Sequence, residues 1–225
     1  MRPLSTGCLV RNDWICGEYV RSRRSELQDA LTQHITLTVL AVLIGLALAI
    51  PLAIAARRLR LSQVLLGAAT IVYTVPSVAL FSLLIPFTSI SATTVLIGLV
   101  LYSLTVLVRN VLAGLDAVPD DVREAARGMG MGPMRLMLRV ELPLAVPTIM
   151  AGVRIATVST VALTTVGGII GFGGLGNLIF GGLNSEFRSQ VLTASVLCVA
   201  LALVADVALL GVQRVITPWQ RGAVR

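Results

Sequence analysis

The sequence predicts an all-α membrane protein with about five transmembrane helices, because its composition is strongly apolar and its apolar residues fall in long runs. Of the 225 residues, 56% are hydrophobic and 13% are charged, and the mean hydropathy is +0.90. Soluble domains have about 45–50% apolar and about 25% charged residues. A larger soluble core does not account for the excess, since surface scaling limits core growth. The apolar surface is therefore expected to face lipid or neighbouring helices.

Five apolar runs are long enough to cross a bilayer, which takes about 20 helical residues. They cover residues 35–56, 64–85, 93–112, 144–170 and 191–212, and the second is expected to stop near Pro86. Pro51, Pro76 and Pro147 lie inside these runs or at their edges. Each lacks an N–H and can bend its helix. The sequence leaves open whether such bends serve movement or only packing.

The arginines predict which side of the membrane each end of the chain occupies. All 18 basic residues are arginine. With five spans, one side holds eleven of them, and the other holds Arg188 and five arginines of the N-terminal segment. Because basic residues concentrate on the cytoplasmic side, we expect the N-terminus outside the membrane and the C-terminus in the cytoplasm. The eleven are Arg57, Arg58, Arg60, Arg109, Arg123, Arg127, Arg135, Arg139, Arg214, Arg221 and Arg225.

The scarce residue types argue against an enzyme. The chain has no lysine, and a P-loop ATPase needs one on its phosphates. His34 is the only histidine, which disfavours nucleophile–base systems and clustered histidine metal sites. Cys8, Cys16 and Cys198 are too few and too scattered for a disulfide framework or a zinc site. We therefore expect no catalytic residue, metal or cofactor, and arginines placed between apolar spans indicate membrane topology rather than nucleic-acid binding.

Residues 1–33 are expected to form a separate segment on the outer side. Trp14, Tyr19 and Leu27 recur there at loosely helical spacing, with charged residues between them. An interfacial amphipathic helix and a partly ordered tail both fit this pattern. The segment lacks the apolar run of a cleavable signal peptide, so none is expected. Residues 34–215 are then the transmembrane domain, and residues 216–225 a cytoplasmic tail.

The longest polar interval, residues 116–143, lies between the third and fourth spans and predicts two short helices. Pro119 can open the first helix, and the acidic residues after it suit a helix N-terminus. The glycines around Gly130 end that helix. Pro133 opens the second helix, which is expected to end before Pro143. We therefore expect a compact helical loop here rather than a flexible linker.

This interval resembles the EAA loop of ABC importer permeases, whose pattern is E-A-A, a glycine four positions later and then I-x-L-P. The resemblance implies the type-I importer permease fold, with the loop seated as a coupling helix on a separate ATP-binding ATPase subunit. It also implies a second permease subunit, identical or homologous, and an external substrate-binding protein. ATP hydrolysis would reside in the partner, so this chain is expected to be a transporter subunit and not an enzyme. The matching residues are Glu124, Ala125, Ala126, Gly130, Val140, Leu142 and Pro143, with Val140 in place of isoleucine.

Four less specific motifs resemble those of the osmoprotectant group of these permeases. They lie in residues 73–81, 109–115, 151–157 and 171–180, which include T-V-P-S-V-A-L, R-N with G-L, A-G-V-R-I-A-T and G-F-G-G-L-G-N. The resemblance implies import of glycine betaine, choline, carnitine or a related quaternary ammonium compound. Methionine or another amino acid is the competing substrate class. The rivals from other classes are a secondary transporter that works without an ATPase, which would be a longer chain with repeated halves, and an intramembrane hydrolase.

Two ionisable residues are predicted inside the membrane. Arg154 lies in the fourth span and Asp206 in the fifth, at similar depths from the cytoplasmic side. Such residues are costly in lipid and are usually paired or face a cavity. The sequence therefore predicts a buried ion pair between these spans, or one residue lining a cytoplasmic opening.

The in-span aromatic residues are candidates for a substrate pathway. Quaternary ammonium ions favour aromatic faces, and Tyr73, Phe81 and Tyr102 lie within the spans. Core packing is the alternative role for each. The glycine-rich segment 167–182 is expected on the outer side, where it either helps form the face that meets the binding protein or permits close packing.

Overall fold

The computed structural model describes residues 7–219, which form helices joined by short connections and contain no strand. A π turn (Met137–Glu141) joins the seventh helix to the eighth, and a 3₁₀ turn (Gly167–Ile170) follows the eighth. Parts of the expected terminal segments, residues 1–6 and 220–225, lie outside the described residues. The helices are α1 (Gly17–Ser22), α2 (Arg24–Arg58), α3 (Ser62–Thr74), α4 (Ser77–Thr88), α5 (Ala92–Asp116), α6 (Asp120–Gly128), α7 (Pro133–Leu136), α8 (Leu142–Val166), α9 (Leu175–Asn184) and α10 (Arg188–Ile216).

The all-helical, multi-span architecture predicted from the sequence is confirmed. Four helical stretches are long and apolar enough to cross a membrane, namely α2, α5, the continuous stretch Pro133–Ile170 and α10. Together α3 and α4 make a fifth span if the bent pair counts as one. The core packs α2, α5 and α8 together around small residues such as Ala49, Ala145 and Ala156. Small side chains let membrane helices approach closely, which is what holds them together in lipid.

The second span, expected over residues 64–85, is broken at Pro76, where the sequence allowed a bend. The axes of α3 and α4 differ by 95°. Pro76 disfavours helical backbone in the residue before it, and Val75 accordingly leaves the helical region with φ −67° and ψ 127°. The Val75 carbonyl accepts a hydrogen bond from the Tyr102 hydroxyl of α5. The span was expected to stop near Pro86, and α4 ends two residues later, at Thr88.

The sequence indicated that the second loop helix ends before Pro143. In the structure it instead continues through the π turn into the fourth span. The π turn makes this continuity possible, because the Leu142 N–H donates to the Met137 carbonyl five residues back. Pro143 then occupies the first turn of α8. A proline at that position needs no N–H partner and already has a helical φ.

The described part of the N-terminal segment, residues 7–33, packs onto the bundle, with Tyr19 and Leu27 in one buried cluster with Leu175. Residues 7–16 form a loop that a disulfide between Cys8 and Cys16 closes. The sequence pattern argued against a disulfide framework but did not predict this single pair, whose eight-residue separation allows the loop to turn back on itself. Tyr19 of α1 is buried edge-on against Phe187, with ring centroids 5.2 Å apart. The first long helix, α2, begins at Arg24, well before residue 35.

The bundle has two ends, named here by what they carry. The loop end carries α6 and the C-termini of α2, α5 and α10, and Arg57 Nε there lies 3.0 Å from Asp116 Oδ1. The opposite end carries the disulfide-closed loop, the 3₁₀ turn and α9. The Asn12 side chain in that loop accepts a hydrogen bond from the Arg188 N–H at 3.0 Å and so caps α10.

Candidate functional site

The short helix α6, which holds the E-A-A residues, stands at the loop end. Asp120 and Asp121 occupy its first turn and Arg127 its last, so each terminus carries the charge that the helix dipole favours. The chain turns after it at Gly130, whose φ of +78° is a left-handed conformation that glycine adopts without a Cβ clash. The interval therefore contains the first of the two helices that its sequence predicts.

The three E-A-A residues do not all face outward. Glu124 and Ala125 are exposed, whereas Ala126 is 2% exposed and packs against its own chain. Of the two alanines, only Ala125 is open to the surface. Ala126 is small because α6 sits close to the bundle at that point.

An apolar rim follows α6 along the chain, and the sequence pattern did not single it out. Met129, Met134 and Leu138 are 72%, 58% and 54% exposed; Met129 comes directly after α6, Met134 lies in α7 and Leu138 in the π turn. Exposed apolar side chains grouped on one surface indicate a binding face, and methionine adapts well to a partner because its side chain is flexible and polarisable. The available signal was the apolar character of residues 129–138 inside an otherwise polar interval.

The remaining EAA positions lie where the loop joins the membrane bundle. Val140 belongs to the π turn, and Leu142 and Pro143 begin α8. All three are half-buried, and Leu142 packs against the central core. These residues therefore attach the loop to the fourth span, while Glu124 and Ala125 are the exposed part of the motif.

A buried carboxylate between these positions ties several helices together. The Glu141 side chain is 8% exposed and accepts a hydrogen bond from Arg123 Nε of α6 at 2.8 Å and another from Arg57 Nη1 of α2 at 3.2 Å. Burial alone would lower the pKa of the Arg123 guanidinium, but its bonds to Asp120 and Glu141 outweigh this effect and raise the pKa, so the group stays charged. The motif leaves the x of I-x-L-P unspecified, so the sequence pattern offers no reason to select Glu141.

The predicted intramembrane pair is present as a two-point contact. Arg154 Nε and Nη2 donate to the two carboxylate oxygens of Asp206, each at 2.8 Å. The contact joins α8 to α10 as expected. The side chains are 27% and 34% exposed, so within this single chain the pair lies at the surface of the bundle rather than inside it.

The three aromatic pathway candidates lie in different environments. Phe81 is buried against Gly98 in the core, so it faces no open surface in this conformation. Tyr73 is exposed at the end of α3 and stacks edge-on against Tyr102, with centroids 5.8 Å apart. Tyr102 is buried and donates to the Val75 carbonyl. Of the three, only Tyr73 offers a ring face beside the broken span.

The glycine-rich segment is tightly packed at the opposite end. A Cβ on Gly176 would lie 2.1 Å from the Thr165 carbonyl oxygen, and one on Gly173 would lie 2.1 Å from the Gly168 nitrogen. These contacts explain why glycine stands at both positions. Close packing, one of the two roles considered for residues 167–182, is therefore present in the structure.

The residue types with metal or catalytic potential are engaged in structural contacts. Cys8, Cys16 and Glu18 come together near the N-terminus, but the two sulfurs are bonded to each other. His34, expected at the outer edge of the first span, is fully buried, with Nε2 3.1 Å from the Val161 carbonyl oxygen.

Comparisons with known proteins agree with this architecture. The model of the family "binding-protein-dependent transport system inner membrane component" matches residues 32–222. The chain is similar to the osmoprotectant import permease protein OsmW of Salmonella typhimurium, with 37% identity over 89% of this chain and 96% of the relative. It is also similar to the choline transport system permease protein OpuBB of Bacillus subtilis, with 33% identity over 89% and 93%. The carnitine transport permease protein OpuCB of Listeria monocytogenes is 35% identical over 83% and 86%.

The fold also matches a solved membrane complex. An inward-facing structure of the MetNI methionine ABC transporter superposes with a TM-score of 0.79 over 87% of this chain and 98% of the matched chain. The identity is 23%, so this likeness speaks for the type-I importer permease fold and not for a substrate. Together, the spans, the EAA loop and these matches establish that the chain belongs to the family of binding-protein-dependent transport system inner membrane components.

Proposed function

We propose that this chain is the permease subunit of an ATP-driven importer for an osmoprotectant such as glycine betaine, choline or carnitine. The relatives described above include a choline permease, a carnitine permease and an osmoprotectant permease. The likeness to a methionine transporter is one of fold, so it gives the amino-acid alternative less support. Binding-protein-dependent permeases of this kind act with an ATPase and a binding protein, which we take to be the partners here.

The observation that carries the coupling role is the shape of the loop end. A short helix presents Glu124 and Ala125 outward, with the apolar side chains of Met129 and Met134 beside it. This combination of charged residues, small residues and adaptable apolar residues suits a groove on an ATPase subunit. ATP binding would then bring two ATPases together, displace α6 in each permease subunit and convert the membrane cavity from inward-facing to outward-facing.

We infer that the loop end lies in the cytoplasm and the N-terminus outside. The arginine distribution supports this orientation, because Arg57, Arg58 and Arg60 and most of the basic residues lie at the loop end. The Cys8–Cys16 disulfide lies at the opposite end. Disulfides form and persist outside the cytoplasm, so its position supports the same orientation.

A second permease subunit would complete the pathway. α3 buries none of its residues within this chain, and the apolar window of α10 is likewise unburied. These faces are available to lipid and to a second copy or a homologous subunit. Tyr73 lies on α3 beside its break, so its ring is placed to meet a quaternary ammonium ion at such an interface. Residues 34–215 would form the transmembrane domain under this proposal.

The coupling role is tested by co-purification and uptake. Wild type, Glu124→Arg and Gly130→Trp would be expressed with the ATPase and binding protein of the same operon and reconstituted in vesicles. We expect wild type to bind the ATPase and to import radiolabelled choline or glycine betaine. In each variant, ATPase binding and solute import should both fall about tenfold or more, because the exposed face of α6 or the turn after it is altered.

The control is Asp29→Asn, which neutralises an exposed carboxylate on α2 far from the loop end. It should bind the ATPase and import as wild type does. Uptake that persists without an ATPase would instead support a secondary transporter. Import of methionine but not of choline or betaine would support the amino-acid alternative.

A further inference from the structure

We propose that Glu141 is the positioning residue that transmits displacement of α6 to the membrane helices. The inference rests on the coupling role proposed above for α6. It assigns the transmission step to one buried carboxylate and its two arginines, Arg57 and Arg123. We call these three residues the Glu141 clamp.

The clamp joins α6 to α2, two helices that otherwise make little contact. α6 packs on α7 and the π turn, and a cavity of about 560 Å³ lies between it and the end of α2. Arg123 reaches from α6 across this region and places its Nε 2.8 Å from Glu141 Oε1. Arg57 reaches from α2 to the other oxygen of the same carboxylate, at 3.2 Å. One side chain at the base of α8 therefore holds both α2 and α6.

The two arginines extend the clamp to α5. Arg57 Nε lies 3.0 Å from Asp116 Oδ1 at the end of that helix. Arg123 Nη2 donates to the Leu115 carbonyl oxygen at 2.7 Å. All three helices of the central core, α2, α5 and α8, are thus tied at the loop end to the helix that we place on the ATPase. A displacement of α6 that keeps these bonds must move the ends of those helices with it.

The ion pairs of the clamp are less screened by solvent than an ordinary surface ion pair. Glu141 is buried, and each carboxylate oxygen has its own arginine, so screening by water and salt is weak. Glu141 is the last residue of the π turn. π turns are uncommon and concentrate at functional sites, since they shift the side chains that follow by part of a turn. Here the turn sets Glu141 in the helix that continues as the fourth span.

The experiment separates transmission from docking by measuring three quantities in the same vesicles. These are ATPase binding, ATP hydrolysis and uptake of radiolabelled choline or glycine betaine, for wild type, Glu141→Gln and Glu141→Asp. Glutamine has the same shape without the charge. We expect it to keep ATPase binding and ATP hydrolysis within about twofold, while the solute imported per ATP falls by about tenfold. Aspartate keeps the charge and should recover part of the ratio.

Arg57→Gln is a second variant that tests the clamp if Glu141→Gln does not assemble with the ATPase, because Arg57 lies on α2, outside the EAA loop. It should uncouple in the same way, and Asp29→Asn should leave the ratio at the wild-type value. The clamp is overturned if uptake per ATP stays at that value in both Glu141→Gln and Arg57→Gln. It is also overturned if binding, hydrolysis and uptake fall together, since Glu141 would then only shape the docking face.

Failure of the proposed function gives a different result. If wild type binds no ATPase, the coupling role itself is wrong. If wild type binds and hydrolyses but imports neither solute, the substrate class is wrong. The test of the clamp is then how far the binding protein stimulates ATP hydrolysis. Glu141→Gln should lose this stimulation and keep the unstimulated rate of hydrolysis. Stimulation equal to that of wild type would overturn the clamp.

Discussion

Single residues of similar chemistry take different roles in this protein because of what surrounds them. Ala125 is exposed on α6, and Ala126 beside it is buried against the bundle. Glu124 is exposed, whereas Glu141 is enclosed by two arginines. An exposed carboxylate is available to a partner protein, while a buried one needs its ionic partners within the chain. The motif locates Glu124, Ala125 and Ala126 in the sequence, but only the structure separates the exposed positions from those enclosed within the chain.

At the residue scale, the Arg154–Asp206 contact predicts energetic coupling between α8 and α10. Arg154→Gln or Asp206→Asn alone leaves one ionised group in the membrane without its partner, which is unfavourable. We therefore expect each single variant to lower the melting temperature in detergent. The double variant should lower it by less than the sum of the two, because neither charge then remains.

The measurement is thermal unfolding of all four proteins, accompanied by uptake in vesicles. Additive changes in both measurements would show that the contact does not couple the helices. The same result would favour the alternative in which one of the two residues lines a water-filled opening. Both residues are partly exposed in the single chain, so packing of a second subunit could change the size of the effect but not its sign.

At the scale of elements, two prolines with the same local chemistry have opposite effects. Pro76 breaks the second span, and Pro143 lies within a continuous helical stretch. The difference comes from the residues before each of them. Val75 is extended, and its carbonyl is taken by Tyr102, whereas the π turn before Pro143 rearranges the hydrogen bonds so that the helix continues. Proline therefore marks a place where a helix can change direction, and the neighbouring contacts decide whether it does.

The break between α3 and α4 predicts a specific role for the Tyr102 hydroxyl. Tyr102→Phe removes the donor to the Val75 carbonyl in a partly buried hydrogen bond, and a hydrogen bond of this kind contributes about 0.5–1.5 kcal/mol. We expect the melting temperature to fall by roughly 2–4 °C per kcal/mol for a chain of this size. Tyr73→Phe is the matched control, because the Tyr73 hydroxyl makes no hydrogen bond among residues 7–219. Equal melting temperatures for the two variants would contradict this role.

At the scale of the whole molecule, the two ends of the bundle differ in chemistry. The loop end has arginines and exposed methionines, and the opposite end has a disulfide-closed loop, close-packed glycines and buried aromatic contacts. Such an asymmetry is what a protein facing two compartments requires, because disulfides persist on one side of the membrane and basic residues gather on the other.

The proposed orientation predicts the side from which each end reacts. In intact cells, a membrane-impermeant maleimide should label Cys8 and Cys16 only after treatment with an impermeant reductant, because the thiols form outside the membrane. A cysteine introduced by Met129→Cys, on the exposed rim of α6, should be labelled only in inverted vesicles. Cys198→Ser removes the remaining thiol and serves as the background. Labelling of position 129 from outside would reverse the orientation.

The sequence by itself determined the class of the protein, its four or five candidate spans and the location of the interval that resembles the EAA loop. These depend on the length of apolar runs and on a spaced motif, both of which are local properties. It also pointed to Arg154 and Asp206, because charge in an apolar run is conspicuous. Only the tertiary structure decided that the second span is bent, that Cys8 meets Cys16, that Phe81 is buried and that Glu141 joins α2 to α6. Each of these depends on which helix packs beside which, and such contacts join residues far apart in the chain, beyond the reach of local pattern.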